Sequence, residues 1–143
     1  MEIITTSINI KTKGNTDIID ITDDVQSIIN QYNFVEGNAL IFVAGSTAGV
    51  TTIEYEPGLR KDYPDFFEKI IPENIRYHHD DTWHDGNGYA HIRASLQGAS
   101  LIVPFKDKKL LTGTWQQIII IDFDNRPRNR NIIVQLIGNK DEN

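Results

Sequence analysis

The sequence predicts an α+β fold: a β-rich antiparallel sheet or sandwich with two helices. Seven short segments are rich in alternating or β-branched residues, as strands are, whereas two segments place apolar residues at helical spacing. The last four strand segments are joined by short links, which favours antiparallel pairing because parallel neighbours need a long crossover. The chain has 143 residues and no linker or repeat, so we predict one domain spanning residues 1–143.

Each predicted element follows from a local pattern. Ile8 and Ile10 alternate with polar residues in the first strand. Residues 20–24 offer N-cap candidates for the start of the first helix, and the second helix stops at Pro72 because proline ends helices. The predicted strands are residues 3–11, 38–44, 50–55, 91–96, 100–105, 117–123 and 131–137. The predicted helices are residues 22–32 and a segment around 66–71.

Turns and irregular segments separate these elements. Pro57 is expected to break the chain before the second helix, and Gly98 to form a turn before the strand at 100–105. Residues 73–90 have no clear periodicity and are expected to form a polar loop. The last polar residues, 139–143, are predicted to form a frayed tail.

Charge and composition narrow the classes of function. Fourteen basic and 20 acidic residues give a net charge of −6, and a nucleic-acid partner is not expected because phosphate neutralisation needs clustered cations. There is no cysteine, which excludes thiolate nucleophiles and cysteine metal ligands. The longest apolar run, 118–121, is far shorter than the roughly 20 residues that cross a bilayer. The N-terminus lacks signal-peptide features, so we expect a cytoplasmic protein without a membrane partner.

All four histidines lie within fourteen residues, interleaved with three aspartates. Imidazole and carboxylate groups are common zinc ligands, although this spacing matches no dedicated metal motif. A polar loop whose histidines face water or cap backbone groups is the alternative. His79 and His91 are the better pair for metal binding or acid–base chemistry, because His91 begins a predicted strand. Glu54, at the end of another predicted strand, is the natural third member.

The segment 45–49 joins two predicted strands through small and hydroxyl-bearing residues. Its backbone N–H groups and the hydroxyls of Ser46 and Thr47 can form an anion-binding nest for phosphate, and Gly49 adds backbone freedom. The segment is not a P-loop, because the lysine of that motif is missing. A tight glycine-containing connection between strands is the alternative.

Three arginines follow the strand predicted at 117–123. In an extended segment Arg126, Arg128 and Arg130 would share one side, because side chains alternate along a strand. They can bind phosphate through charge-assisted hydrogen bonds, or they can pair with the chain's own carboxylates. Trp115 lies just before the same strand, and we expect it in the core rather than at the surface as a platform on which a base stacks.

With these motifs the chain resembles the YjbQ-type family, also called the secondary thiamine-phosphate synthase family. The resemblance covers nearly the whole chain and rests on the order and spacing of several short segments. They are Gly45-Ser-Thr-Ala-Gly49 followed by Glu54, Tyr77-His-His79, Trp83-His-Asp-Gly-Asn87 with His91, Gly98-x-Ser100 with Pro104, Gly113-Thr-Trp-Gln116, and Asp124-Asn-Arg-Pro-Arg128-Asn-Arg130.

The resemblance implies a sandwich-like antiparallel fold assembled as a homotrimer. It also implies a polar site that holds a divalent metal, zinc or magnesium, or a phosphorylated small molecule. The family's attributed activity is weak thiamine-phosphate synthesis, a transferase reaction that joins a pyrimidine diphosphate to a thiazole phosphate and releases pyrophosphate. A non-catalytic trimeric module that binds a metal or a phosphorylated metabolite is the alternative function.

The family's site residues map onto this chain with one departure. The resemblance implies catalytic roles for His79, His91, Glu54 and Asp85, metal ligation by His79 and His91, and phosphate binding by Ser46, Thr47, Gly49 and Arg128. Many relatives have His-Thr-Ser-Ala where this chain has Gly45-Ser-Thr-Ala48. Because glycine supplies no imidazole, we predict a weaker or water-completed metal site. The alternatives are a site completed by His84 or Asp85, or no metal at all.

Overall fold

Two antiparallel sheets and four helices make up residues 1–141, which are the residues that this computed structural model describes. The predicted α+β class and β-rich antiparallel architecture are confirmed, but the helices number four rather than two. The strands are β1 (Glu2–Thr12), β2 (Asp17–Asp20), β3 (Phe34–Val43), β4 (Ala48–Ile53), β5 (Ser100–Lys106), β6 (Lys109–Leu110), β7 (Gln117–Asp122) and β8 (Arg128–Lys140). The helices are α1 (Thr22–Gln31), α2 (Pro57–Ile70), α3 (His78–Trp83) and α4 (Gly88–Gln97).

The two sheets differ in size and share no strand. The larger sheet has five strands in the order β1-β8-β3-β5-β6, and the smaller has three in the order β2-β7-β4. Strands β1 and β8 pair along their whole lengths, from Glu2 opposite Gly138 to Thr12 opposite Arg128. The sequence neighbours β7 and β8 therefore lie in different sheets, and the short loop between them joins the sheets at one end.

Strand β7 lies at the centre of the fold and is buried on both faces. Its four isoleucines, residues 118–121, have no exposed surface. Ile118 and Ile120 pack in the core that lies against the larger sheet and α1, whereas Ile119 and Ile121 pack against residues of α2 and α4. Each fully buried isoleucine stabilises the fold by about 1.5–3 kcal/mol. Burial on both faces explains why this strand has an uninterrupted apolar run.

Helix α1 forms where its apolar spacing predicts it. Val25, Ile28 and Ile29 are buried in the core, while Asp23 and Asp24 lie in the first turn, where a negative charge favours the positive end of the helix dipole. The predicted range 22–32 is therefore nearly correct.

Helix α2 is longer than predicted because Pro57 begins it instead of breaking the chain. Proline is well suited to the first helical position, where its missing N–H needs no partner. The Glu56 carboxylate caps the helix by accepting hydrogen bonds from the N–H groups of Gly58 and Leu59. No helix in the described part of the chain is long and apolar enough to cross a membrane.

The strand predicted at 91–96 is wrong, because these residues belong to α4. Polar and apolar residues alternate there, as in a strand, but the buried residues follow helical spacing and lie on one face of a helix. The buried residues are Gly88, Tyr89, Ala90, Arg93 and Ala94. Arg93 is buried because its guanidinium donates to the Ile71 carbonyl and pairs with Glu68 of α2 at 2.7 Å. The contacts with α2 and the smaller sheet decide the helical conformation.

Two other predicted segments, the polar loop 73–90 and the tail 139–143, also differ from the sequence prediction. The polar segment 73–90 contains the short helix α3. Strand β8 continues to Lys140, so the predicted tail is wrong at 139–140. The Asp141 N–H donates to the Asn33 carbonyl at 2.9 Å, which holds this residue as well. The rest of the predicted tail, residues 142–143, lies outside the described residues.

Gly138 marks a close approach between β8 and β3. A Cβ atom at Gly138 would lie 2.1 Å from the Glu36 carbonyl oxygen, so the backbone would have to shift. We expect Gly138→Ala to lower the free energy of unfolding by about 1–3 kcal/mol, as overpacking does. Urea denaturation measures this effect. Gly113→Ala is the control, because its Cβ would have no neighbour nearer than 3.7 Å, and equal losses in the two variants would contradict the explanation.

Candidate functional site

A polar cleft of 390 Å³ lies where the loop 44–47, helices α3 and α4 and strand β8 meet. It combines residues that are far apart in the sequence: Gly45, Ser46, Thr47, His79, Trp83, Asp85, Asn87, His91, Arg128 and Arg130. A larger groove of 780 Å³ runs along α2, but its lining has neither histidine nor arginine. The polar cleft therefore has the side chains suited to acid–base or anion chemistry.

A buried ion pair between Asp122 and Arg130 forms the floor of the cleft. The Arg130 Nε donates to Asp122 Oδ2 at 2.8 Å, and its Nη2 donates to Oδ1 at 2.9 Å. Nη2 also donates to Thr47 Oγ1 at 2.6 Å, while Thr12 Oγ1 donates to Asp122 Oδ2 at 2.6 Å. Two parallel bonds to one carboxylate fix the plane of a guanidinium. Arg130 is therefore held in one orientation.

Asp124 is a second buried carboxylate beside this pair. Burial alone would raise the pKa of Asp124, but the hydrogen bonds that it accepts outweigh burial and lower the pKa below its ordinary value. The donors are Asn87, the N–H of Asn125, Thr47 and Arg128. Asp124 thereby holds Thr47, Asn87 and Arg128 in place around the cleft.

His79 of α3 and His91 of α4 lie side by side at the cleft. Their ring centroids are 4.1 Å apart and the rings are tilted by 43°. His79 Nε2 lies 3.1 Å from Asn87 Oδ1 and 3.4 Å from Asp85 Oδ1. Asp80 joins the two helices by accepting a hydrogen bond from the Gly88 N–H at 3.1 Å. The structure thus brings together the two histidines and the Asp85 carboxylate selected from the sequence.

Burial lowers the pKa of His91 below its ordinary value, and the neighbouring His79 lowers it further. The carboxylates of Asp85, Asp124 and Asp80 oppose this shift without reversing it. At neutral pH the His91 imidazole is therefore uncharged, and it can accept a proton or donate a lone pair to a cation.

Glu54 does not lie beside the histidines, and the expectation that it would is wrong. Strand β4 runs away from the cleft: its residue Ala48 pairs with Asp122 at the cleft end, and Ile53 pairs with Gln117 at the other end. A strand of this length spans about 20 Å. Glu54 follows the distant end and is exposed to solvent. The direction of the strand, which the sequence pattern does not specify, separates this carboxylate from the site.

Gly49 also lies outside the cleft, although Ser46 and Thr47 line it. Gly49 belongs to β4 and is buried against α4, where a Cβ atom would lie 2.6 Å from Gln97 Cγ. Its role is close packing of a strand against a helix, and the loop ends at Thr47. Trp115, expected in the core, is 71% exposed.

Three residues of the buried cluster were not selected as site residues from the sequence: Thr12, Asp122 and Asp124. A signal was present, because Asp122-Phe-Asp124 ends the most apolar strand and a buried strand seldom ends in two aspartates without partners. Their partners are supplied by β1, the loop 44–47 and β8, and only the fold brings these together.

The residues at the cleft supply part of a metal site. In residues 1–141 there is no group of three or more histidine, cysteine, aspartate or glutamate side chains arranged to hold a metal ion. His79 and His91 could provide two of the four ligands of a zinc ion. Water or ligand oxygens would have to provide the others, in keeping with the absence of an imidazole at Gly45.

Comparisons with known proteins identify relatives along nearly the entire chain. Residues 6–139 match the family described as UPF0047 protein YjbQ-like. A UPF0047 protein of Methanocaldococcus jannaschii is 39% identical, and the match covers 92% of each chain. A crystal structure from Sulfolobus solfataricus, described as a YbjQ-like protein of unknown function, superposes with a TM-score of 0.86 at 30% identity over 96% of this chain and 100% of that one. A second, from Clostridium acetobutylicum, gives a TM-score of 0.84 at 33% identity over 92% and 99%.

The His91 ring, on α4, packs against the His79 ring. Its titration therefore tests the geometry of the site. We expect NMR titration of the ring to give a pKa below 6.5, and His79→Asn to raise that pKa because it removes a neighbouring charge. The unfolded chain binds this proton at higher pH than the folded protein, so His91 reduces stability as pH falls through about 6.5. A His91 pKa at or above 6.5 that does not respond to His79→Asn would contradict the arrangement.

Proposed function

The chain belongs to the YjbQ-like UPF0047 family, and from this membership and the geometry of the cleft we propose that it binds a phosphorylated small molecule and catalyses a transfer reaction on it. The observation that carries the proposal is the convergence, in one cleft, of the loop 44–47 and Arg128 on one side and a close imidazole pair on the other. Neither group of residues alone would indicate more than a polar surface.

The phosphate side of the cleft consists of the loop 44–47 and Arg128. Within residues 1–141 the N–H groups of Ser46 and Thr47 donate to no acceptor, so they are available to phosphate oxygens. Asp124 binds Nε and Nη2 of Arg128, yet 32% of this side chain remains exposed. Arg128 can therefore keep its ion pair and still present a guanidinium edge to a ligand.

The proposed reaction is thiamine-phosphate synthesis of the kind attributed to the family. The thiazole ring nitrogen would bond to the pyrimidine's methylene carbon while the carbon–oxygen bond to the diphosphate breaks, so pyrophosphate leaves with that electron pair. Negative charge develops on the leaving pyrophosphate, where Arg128 and the loop N–H groups would stabilise it. Neutral His91 can relay a proton to the leaving pyrophosphate, and Asn87 and Asp85 orient His79 beside it.

Divalent-metal binding is part of the same proposal. His79 and His91 would hold the ion, and zinc or magnesium would neutralise phosphate charge when bound. Because the residues supply only an incomplete ligand set, we propose a weak site completed by water.

A non-catalytic binding module is the second candidate function. The remote position of Glu54 favours it, because the carboxylate that contacts the His79 ring is then the exposed Asp85, while Asp124 is occupied by Asn87, Thr47 and Arg128. Phosphorylated metabolites would still bind to the loop 44–47 and Arg128. Catalysis and binding therefore share a phosphate site and differ in whether the histidines act on the ligand.

Assembly as a homotrimer is also proposed, and the outer face of the larger sheet supports it. Ile3 and Ile102 are each 63% exposed, and Phe42 is 42% exposed. The strand register pairs Ile3 with Ile137, Leu40 with Ile102 and Phe42 with Ile133 on the side opposite the core, with the polar Asn38 and Gln135 among them. Extended exposed apolar patches are uncommon on monomers, so we propose that this face forms subunit contacts.

An assay with the pyrimidine diphosphate and the thiazole phosphate as substrates distinguishes an enzyme from a binding module. We expect thiamine phosphate to form, and His91→Gln to reduce the rate roughly a hundredfold to ten-thousandfold, as loss of a general acid–base does. His78→Gln is the matched control, since the His78 side chain is 96% exposed. Reactions with added magnesium, added zinc or EDTA measure the contribution of a metal.

The outcomes of this experiment are distinct. Formation of product at equal rates in wild type and His91→Gln would point to a contaminating enzyme and contradict the catalytic proposal. Absence of product, combined with calorimetric binding of thiazole phosphate, would identify the chain as a binding module.

Light scattering tests the trimer. We expect a mass about three times 16.3 kDa, and Ile102→Glu should shift it towards the monomer because a charge would be buried at the interface. Ile75→Glu is the control: Ile75 is 54% exposed and lies outside the sheet. A wild-type monomer at micromolar concentration would refute the trimer.

A further inference from the structure

We infer that Gly45 is a specificity-determining residue: its missing side chain opens a path to Nη1 of Arg130, which then anchors a terminal phosphoryl group. This inference rests on the proposed phosphate site and deepens it. It names a second anchor besides Arg128, and it names the class of ligand, one whose phosphate carries three free oxygens.

The backbone does not explain why residue 45 is glycine. Positive φ angles occur at Gly14, Gly86 and Gly98, and Gly45 is not among them. Its conformation is therefore open to any residue. Space is the restriction, because a Cβ atom at position 45 would lie 2.7 Å from Arg130 Nη1. The Arg130 nitrogen can occupy its position because residue 45 has no side chain.

In this chain a side chain at position 45 would meet a guanidinium that is held in place. Its Nε and Nη2 are bound to Asp122, and Nη2 is also bound to Thr47. Only 8% of the Arg130 side chain is exposed. Displacing the guanidinium would break a buried bidentate ion pair, which is costly.

Nη1 is the one nitrogen of Arg130 that has no hydrogen-bond partner within residues 1–141. No fully buried side-chain nitrogen or oxygen of those residues lacks a partner, so Nη1 must be accessible, and Gly45 and Arg130 both line the cleft. A fixed, partly desolvated guanidinium nitrogen with free hydrogens is a preorganised anion donor.

The surrounding donors indicate the type of anion. Nη1 lies beside Gly45, the Ser46 and Thr47 N–H groups belong to the same loop, and Arg128 lies on the same strand as Arg130. These donors can serve three oxygens of one phosphorus. A phosphodiester has only two free oxygens and one negative charge, whereas a terminal phosphate has three free oxygens and up to two charges, so a diester would bind these charged donors more weakly.

Calorimetry with inorganic phosphate as the probe tests this assignment. Gly45→Ala should weaken phosphate binding roughly tenfold to a hundredfold, the equivalent of one lost hydrogen bond to a charged group. Gly113→Ala, whose added Cβ meets nothing nearer than 3.7 Å, should bind phosphate like wild type. Dimethyl phosphate, a diester, should bind wild type at least tenfold more weakly than inorganic phosphate.

NMR provides a readout that does not require the variant to fold. In ¹⁵N-labelled wild type, phosphate should shift the Arg130 guanidinium resonances.

Each result decides a separate point. Equal phosphate affinity in Gly45→Ala and wild type, with Arg128→Ala weakened, would overturn the role of Gly45 and leave the proposed phosphate site intact. Unchanged Arg130 resonances at saturating phosphate would overturn the anchor, and equal binding of the diester would overturn the ligand class. Failure of wild type to bind inorganic phosphate would refute this inference and the phosphate site together, whereas failure to form thiamine phosphate would refute only the catalytic proposal.

Discussion

The ion pair between Asp122 and Arg130 is the interaction on which the cleft depends. Asp122 is the last residue of β7 in the smaller sheet, and Arg130 lies in β8 of the larger sheet, so the pair joins the sheets where the chain crosses between them. Thr12 adds β1 to this junction, and Thr47 adds the loop 44–47. Removal of one partner from a buried pair costs about 3–5 kcal/mol. Both the junction of the two sheets and the orientation of Arg130 depend on this contact.

The charges beneath the cleft are balanced, and this balance shapes what the cleft can bind. Asp122 offsets Arg130, and Asp124 offsets Arg128, so no large net charge is buried. Each guanidinium nevertheless has a nitrogen that is not bound to its carboxylate. The recognition of an anion therefore depends on the direction of hydrogen bonds more than on net positive charge, as expected in a protein whose overall charge is −6.

The fold is shared much more widely than its residues. The Sulfolobus solfataricus structure superposes with a TM-score of 0.86 although only 30% of its residues are identical. A conserved framework of this kind does not by itself specify an activity, because function depends on the side chains at the site. Gly45 illustrates this, because a Cβ atom there would lie 2.7 Å from Arg130 Nη1, so a change at this one position would act on the cleft and not on the sheets.

The sequence by itself determined the elements whose signals are local. The alternation in β1, the helical spacing of α1 and the apolar run of β7 each depend on neighbours in the chain, and so does the clustering of His79 and His91 within a short segment. Only the tertiary structure decided that residues 91–96 are helical, because packing against α2 and the smaller sheet selects their buried face. It also placed Glu54 at the distant end of β4 and brought Asp122 to Arg130. Strand direction and the meeting of distant residues depend on long-range contacts, and no local pattern in the chain encodes them.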